Sequence, residues 1–279
     1  MMHARAWAKI NLGLVVGPLR EDGKHEIVTV LQRIHLHDDV ALGPSTELAV
    51  EGFTDDTIVR DALVALARAA GVAPSWRVRI EKRIPVAAGL GGGSADAAAA
   101  LALANALLPE PLDHEVLHGV AAGIGADVPF LLQEKAQLAT GDGTTLSPVA
   151  LPTDYHVVLV APHGVMKQST GTVYDAFDGR GGADGFDSRA QAFHAALSWI
   201  STARDLAALP ANDLVSSPLA AELMATGAFR VDVSGAGPTV YGLFERADDA
   251  ANAAEALAGV GQTFLTKPLD TSDHPRVAR

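Results

Sequence analysis

The sequence has no cysteine, few aromatic residues and a shortage of positive charge. Without cysteine among its 279 residues, the chain has no disulfide, thiol nucleophile or thiolate metal site. It carries 33 acidic against 21 basic side chains, a formal net charge of −12, and so lacks the positive surface that nucleic acid or an anionic membrane attracts. No stretch approaches the roughly 18 apolar residues of a membrane span, and the first residues have no signal-peptide core. These absences predict a cytoplasmic protein with no nucleic-acid or membrane partner.

The residues that are present predict a mixed fold with a large core. Hydrophobic residues make up 48% of the chain, which is typical of a globular protein. Strand and helix patterns alternate without the regular rhythm of a doubly wound sheet, which predicts an α+β fold in two domains, residues 1–150 and 151–279. In the second domain we expect one long helix over residues 189–209 and a frayed polar tail from residue 268.

A glycine-rich turn stands out at residues 85–95, where four of the five residues at 89–93 are glycine. It lies between an alternating strand pattern at 76–84 and an alanine-rich helix pattern at 97–108, with Ser94 as the expected N-cap. Such a turn collects free backbone N–H groups at the positive end of a helix dipole, which favours phosphate binding. It lacks the lysine of a Walker loop and the last glycine of a dinucleotide loop. A plain loop before a core helix is the alternative.

The turn resembles the phosphate-binding motif of the GHMP kinases. Its triple glycine followed by Ser-Ala-Asp is most similar to the branch that phosphorylates 4-diphosphocytidyl-2-C-methyl-D-erythritol. Two further motifs of the family are present in the family's order. Ala-Lys-Ile-Asn lies before the turn, at the start of the chain, and Ser-Gly-Ala-Gly-Pro-Thr lies after it, near the end. The resemblance implies that the turn binds ATP through Pro85, Val86, Ala87, Ala88, Gly89, Leu90, Gly91, Gly92, Gly93, Ser94 and Ala95.

The resemblance also implies which residues are catalytic. Lys9 lies in a strand pattern over residues 4–16, where a period of two places it on the same face as Asn11; alone, this would be a solvated face. Asp127 lies in Gly-Ala-Asp-Val-Pro-Phe, where alone it would be a capping carboxylate. In the family the aspartate is the base, the lysine lies beside it and the asparagine contacts the substrate. Mg²⁺ accompanies ATP, and Ser94 is a candidate metal ligand.

The chain departs from the branch at two positions, one on the substrate side and one on the ATP side. Where the branch has Asp-Gly-Tyr-His-Glu, this chain has Lys24 before His25; the branch tyrosine stacks on cytosine and the histidine hydrogen-bonds it. Tyr174 occupies the position of the aromatic residue on the other face of the base. Asp56 stands where the branch has an asparagine that holds adenine. Gly235 and Gly237 belong to the third motif, next to the anion site.

The resemblance implies a two-domain fold, with a first domain like ribosomal protein S5 domain 2 and a ferredoxin-like second domain. ATP and a small-molecule alcohol would bind in the cleft, and the 2-hydroxyl of the methylerythritol would be phosphorylated. Two alternatives stay open. One is a GHMP kinase for a mevalonate- or homoserine-type alcohol, which Lys24 favours. The other is a non-catalytic family member that acts as a ligand sensor.

Overall fold

The computed structural model describes residues 1–53, 57–165 and 169–270. The strands are β1 (Met2–Leu19), β2 (His25–Pro44), β3 (Ala49–Glu51), β4 (Trp76–Glu81), β5 (Gln137–Gly141), β6 (Thr145–Pro148), β7 (His156–Pro162), β8 (Arg230–Val233), β9 (Val240–Phe244) and β10 (Gly261–Thr266). The helices are α1 (Thr57–Ala69), α2 (Gly92–Leu107), α3 (His114–Ile124), α4 (Asp127–Leu131), α5 (Thr170–Gly179), α6 (Phe186–Ser198), α7 (Leu219–Ala225) and α8 (Ala247–Ala256), with a 3₁₀ helix over Ala203–Ala208.

The first sheet is organised around β2, which is 20 residues long. The strands lie in the order β3-β4-β2-β5-β6, and β1 also pairs with β2. Because β2 exceeds the usual strand length, its two halves pair with different neighbours, β5 near its start and β4 near its end. The pairing of β1 with β2 shifts register on both sides of the segment from Lys9 to Asn11. Such bulges re-aim side chains, here on the strand that carries the predicted lysine.

The second sheet contains β7 to β10 in the order β10-β7-β9-β8, and all its neighbours are antiparallel. Helices connect β7 to β8, β8 and β9 form a hairpin, and α8 leads to β10. This is the β-α-β-β-α-β order of a ferredoxin-like unit, as expected. Together with the mixed first sheet it confirms the α+β prediction. The division at residue 150 stays a prediction.

Helix α2 is the central helix of the first half. It packs against α1, α4 and the first two strands, and nine of its residues are buried. Most of these are alanines, whose small side chains let a helix approach its neighbours on several sides. The glycine turn that precedes α2 is therefore attached to one of the most buried helices of the protein.

Two expectations about the second half are wrong. The predicted helix over residues 189–209 is two elements, because α6 ends at Ser198 and Thr202 starts a 3₁₀ helix through a capping box with Asp205. The tail is not frayed where it was expected to start: Pro268 bridges to Ile34, and Leu269 is buried and donates its N–H to the Arg33 carbonyl. Backbone pairing and burial thus hold the chain at these two positions. Residues 271–279 lie outside the described residues.

Within the described ranges, no helix is long and apolar enough to cross a membrane. The cytoplasmic location stays a prediction.

Candidate active site

A cavity of about 560 Å³ lies between the glycine turn and the hairpin of the second sheet. Its glycine end is formed by residues 85–94, together with Phe53, Ile58 and Lys82. Its aromatic end is formed by Leu14, Ile27, Asp142, Gly143, Thr170, Tyr174 and Leu214. Lys9, Asn11 and Asp127 line the wall together with Thr29, Leu31, Ala126, Gly235 and Ala236.

The glycine turn is locked to the hairpin of the second sheet by backbone contacts. Gly89 has φ +81°, and a side chain there would place its Cβ 2.3 Å from the Ser234 carbonyl oxygen. The Ser234 hydroxyl donates to the Gly89 carbonyl (2.9 Å), and the Thr239 N–H donates to the Ala88 carbonyl (3.2 Å). The glycine turn and the Ser-Gly-Ala-Gly-Pro-Thr turn thus interlock across the two sheets. This close contact requires glycine at position 89.

Helix α2 begins earlier than the sequence suggested. Its N-cap is Gly91, in the left-handed region at φ 71°, and the helix starts at Gly92. The expectation that Ser94 is the N-cap is wrong, because Ser94 is the third helical residue and glycine alone adopts the cap geometry readily. The first N–H groups of a helix have no partner within it, and those of residues 92–94 lie along the cavity. The positive end of the dipole therefore points into the glycine end.

Lys82 joins the two sides of the glycine turn. Its ammonium donates to Asp38 and to Asp96, both at 2.6 Å, and both carboxylates are fully buried. Asp38 also accepts from the N–H groups of Arg83 and Ile84, at the end of the preceding strand, while Asp96 lies on α2. Burial lowers the pKa of Lys82, but the two carboxylates outweigh it and raise the pKa above its ordinary value. Lys82 thus ties the segment before the glycine turn to the helix that follows it.

Lys9 and Asp127 meet in the middle of the cavity. The Lys9 ammonium lies 3.2 Å from an Asp127 carboxylate oxygen; the lysine side chain is 5% exposed and the aspartate 31%. The same ammonium donates to the Asn11 amide oxygen at 2.8 Å, and Asn11 donates to the Thr29 hydroxyl at 2.9 Å. Lys9 and Asn11 therefore share a buried face that lines the cavity, and not a solvated one. An ammonium and a carboxylate side by side can assist proton removal from an alcohol and offset the charge that develops.

Asn212 holds the turn at Gly235 against this pair. Its side-chain amide donates to the carbonyls of Val233 (2.9 Å) and Gly235 (2.7 Å), while its own oxygen accepts from the Leu214 N–H. A Cβ on Gly235 would lie 3.3 Å from the Lys9 ammonium nitrogen. The turn therefore approaches the reactive centre with bare backbone.

The aromatic end is formed largely by side chains. Tyr174 packs with Leu14, Ile27 and Leu214, and its ring stacks on His25 at a centroid distance of 4.8 Å. Burial, and then the negative charge of Asp127, raise the pKa of Tyr174 to about 12. Its hydroxyl thus stays protonated at neutral pH.

Family models match two parts of the chain: the GHMP kinases N terminal domain at residues 57–135 and the GHMP kinases C terminal domain at residues 214–262. A 4-diphosphocytidyl-2-C-methyl-D-erythritol kinase of Salinispora arenicola is 41% identical, over 99% of this chain and 91% of that protein. A kinase of the same name from Chlorobium phaeobacteroides is 33% identical, over 97% and 99% respectively.

The chain belongs to the GHMP kinase family. A crystal structure of 4-(cytidine 5'-diphospho)-2C-methyl-D-erythritol kinase superposes with a TM-score of 0.78 at 32% identity, covering 96% of this chain and all of that one. A mevalonate kinase structure reaches a TM-score of 0.72 at 12% identity, over 96% of this chain and 99% of the other, which shows the fold alone. These likenesses confirm the expected two-domain GHMP kinase fold.

The structure of this chain brings most of the predicted site residues to one cavity but leaves several outside the cavity wall. Lys9, Asn11, Asp127, Tyr174, Gly235 and residues 85–94 line it. His25 lies behind Tyr174, with one ring nitrogen 2.9 Å from the Gly17 carbonyl oxygen and the other 3.4 Å from Asp178. Lys24 pairs with Asp142, and Gly237 lies under Gly89. Ala95 is buried in α2, and Asp56 lies outside the described residues.

Sequence reasoning missed the roles of Lys82, Asp142 and Thr29. Lys82 could have been detected from the sequence. Trp76, Val78 and Ile80 mark the buried face of the predicted strand, and the period of two places Lys82 at the next position of that face, where an apolar residue is expected. A charged residue on a buried face indicates a partner, which here is a pair of carboxylates. Asp142 and Thr29 carry no such signal, because their positions depend on how distant strands pair.

Proposed function

We propose that this kinase transfers the γ-phosphoryl group of ATP to the 2-hydroxyl of 4-diphosphocytidyl-2-C-methyl-D-erythritol, a step of the non-mevalonate isoprenoid precursor pathway. The observation that carries the proposal is the contact between Lys9 and Asp127 in a cavity that the glycine turn closes at one end. Full-length similarity to kinases of that name supports the choice of substrate.

The glycine end would bind the triphosphate. Within the turn, residues 86–94 supply backbone N–H groups and the N-terminus of α2, and both favour an anion. Phosphoryl transfer asks the protein mainly for positioning and charge stabilisation, so a preformed turn suits the task. Lys82, through its two carboxylates, would keep that turn in place between turnovers. Asp56, by the family pattern, would contact the adenine.

Asp127 would act as the general base. It takes the proton of the 2-hydroxyl as the hydroxyl oxygen attacks the γ-phosphorus, and ADP leaves with the electrons of the broken P–O bond. Lys9 would offset the charge that develops on the reacting oxygens. Asn11, held by Thr29, would position the alcohol.

Mg²⁺ would be held chiefly by the phosphates. The described residues contain no cluster of three or more histidine, aspartate or glutamate side chains that could hold a metal ion. An ion bound through phosphate oxygens and one or two protein oxygens fits such a wall, and Ser94, on the first turn of α2, is the candidate ligand. When bound, the ion would neutralise charge on the phosphates.

The two halves would divide the substrates between them. We propose that residues 1–150 form the ATP-binding domain and that residues 151–279 supply Tyr174 and the turn at Gly235 and Gly237 to the alcohol side. His25, which supports Tyr174 from behind, and Lys24, which holds Asp142, would act on the cytidine through these neighbours.

ADP release against a panel of alcohols tests the proposal. With ATP and Mg²⁺ the enzyme should turn over the diphosphocytidyl alcohol, leave mevalonate and homoserine untouched, and be inhibited by CMP competitively with the alcohol. Faster turnover of mevalonate or homoserine, without inhibition by CMP, would overturn it.

That second outcome is the one alternative that a specific observation favours. Lys24 stands where the diphosphocytidyl branch has the tyrosine that stacks on the base, so the cytidine lacks one of its two aromatic platforms. A GHMP kinase for a small alcohol without a base would not need that platform.

A further inference from the structure

The aromatic end of the cavity combines apolar side chains with one carboxylate. Leu14, Ile27, Leu214 and the ring of Tyr174 form a surface that suits a planar heterocycle. Asp142 lies on the same wall, on the turn between β5 and β6. A single carboxylate on a largely apolar wall provides orientation and specificity.

Asp142 is held from two sides. One carboxylate oxygen accepts from the N–H (3.1 Å) and the hydroxyl (2.6 Å) of Thr144. The other accepts from the Lys24 ammonium at 2.6 Å. A carboxylate oxygen can accept about two hydrogen bonds. The oxygen that faces Lys24 can therefore take one more donor, and the side chain is 17% exposed.

The charge of Asp142 decides which ligand group that oxygen can bind. Burial raises the pKa of Asp142, but the hydrogen bonds from Lys24 and Thr144 outweigh it and hold the pKa at about 2. The group is ionised at neutral pH and can only accept hydrogen bonds. It attracts an amino group on a base and repels a carbonyl oxygen at the same place. Lys24 also offsets this negative charge, which would otherwise repel a diphosphate in the cleft.

We propose that Asp142 accepts a hydrogen bond from the exocyclic amino group of the substrate's base and so selects cytidine over uridine nucleotides. This deepens the proposed function and rests on it for the presence of a cytidine. Lys24, at the position of the branch tyrosine, is then a positioning residue that acts through Asp142. One carboxylate would supply by hydrogen bonding part of the base recognition that the missing aromatic ring cannot supply by stacking.

Calorimetric binding of CMP and UMP, with a non-hydrolysable ATP analogue filling the glycine end, tests the proposal. The wild type should prefer CMP by about tenfold or more, the usual worth of a hydrogen bond to a charged group. In Asp142→Asn the amide can turn its N–H₂ toward the uracil oxygen, so the preference should vanish or reverse. Asp142→Ser should also remove it, and serves if the first variant fails to fold. In Lys24→Met the affinity for CMP should fall several-fold.

The matched control is Glu245→Gln, which breaks a surface ion pair of equal length, 2.6 Å to Arg204, and should keep the wild-type preference. An unchanged preference in both Asp142 variants, or an equal loss for CMP and UMP, would overturn the proposal. If the wild type turns over the diphosphocytidyl alcohol in those cases, only the assignment of Asp142 falls. If the wild type binds neither nucleotide and phosphorylates another alcohol, the proposed function falls and this inference with it.

Discussion

The two ends of the cavity are built in different ways. The glycine end consists mainly of backbone from one continuous segment, residues 85–94, and buried charge and the hairpin of the second sheet hold it in place. The aromatic end consists of side chains from β1, β2, α5 and the turn after β5, which come together only in the folded protein. Lys9 and Asp127, the proposed catalytic pair, lie between them.

The difference teaches where each kind of specificity resides. Backbone N–H groups can bind a triphosphate whatever side chains lie beside them. Phosphate binding at the glycine end should therefore depend on the backbone conformation. A base is recognised by particular atoms, so the aromatic end depends on residue identity. Substitutions at the glycine end should therefore damage stability and ATP binding, while those at the aromatic end should change which alcohol is used.

The largest effect is expected at the centre, which both ends serve. Lys9→Met removes the ammonium that lies 3.2 Å from Asp127 and should lower turnover by roughly 10²–10³-fold, as loss of a charge-stabilising donor does. The affinity for ATP should change little. Steady-state kinetics with both substrates measures this, with Lys135→Met, an exposed lysine, as control. Near-normal turnover would remove Lys9 from the centre.

Gly89→Ala tests whether the glycine end depends on conformation. The added Cβ would lie 2.3 Å from the Ser234 carbonyl oxygen at φ +81°, so the turn must separate from the hairpin. Weaker ATP binding should accompany a lower free energy of unfolding in urea. Gly71→Ala is the matched control, since Gly71 has φ +65° with nothing within 4 Å and should lose only about 1–2 kcal/mol of left-handed strain. Equal losses in the two variants would contradict the interlock.

Lys82→Met tests the ion-pair support of the same end. Two buried carboxylates lose their ammonium ion partner, so the free energy of unfolding should fall by about 3–5 kcal/mol. Because the pKa of Lys82 is raised above 10.5 in the folded state, its stabilisation is fully present below pH 10.5 and is lost as the pH rises through the folded value. The gap between the wild type and the variant should therefore close in alkaline buffer. Arg204→Met, which breaks an exposed pair, should cost under about 1 kcal/mol.

The smallest effect is expected for the stability of the aromatic end. The pKa of Asp142, about 2 against the ordinary 3.8, gives stabilisation that is present above pH 3.8 and is lost as the pH falls through about 2. Lys24 is half-exposed, so the contribution should stay under about 1 kcal/mol. The free-energy difference between the wild type and Asp142→Asn, followed by circular dichroism, should be small but constant above pH 3.8 and should disappear as the pH falls through about 2. A large difference at neutral pH would make Asp142 a structural residue.

The two ends also differ in how much of them could be predicted from the sequence. The glycine turn, α2 and the hairpin at residues 230–244 were predictable, because local patterns determine them. The N-cap was wrong because any glycine of the run could provide the left-handed residue, and only packing selects Gly91. Lys82, just after β4, interrupts an alternating apolar pattern and was detectable. Asp142 was not, since its neighbour Lys24 lies 118 positions away and only the pairing of β2 with β5 brings them together.

The central claim is that Asp127 removes the proton of an alcohol next to the phosphates. Single-turnover transfer from γ-labelled ATP to 4-diphosphocytidyl-2-C-methyl-D-erythritol, compared between the wild type and Asp127→Asn, tests it most directly. The account predicts that the variant binds ATP with near-normal affinity and transfers the label roughly 10²–10⁴-fold more slowly, the usual contribution of a general base. Label transfer at the wild-type rate in the variant would contradict it.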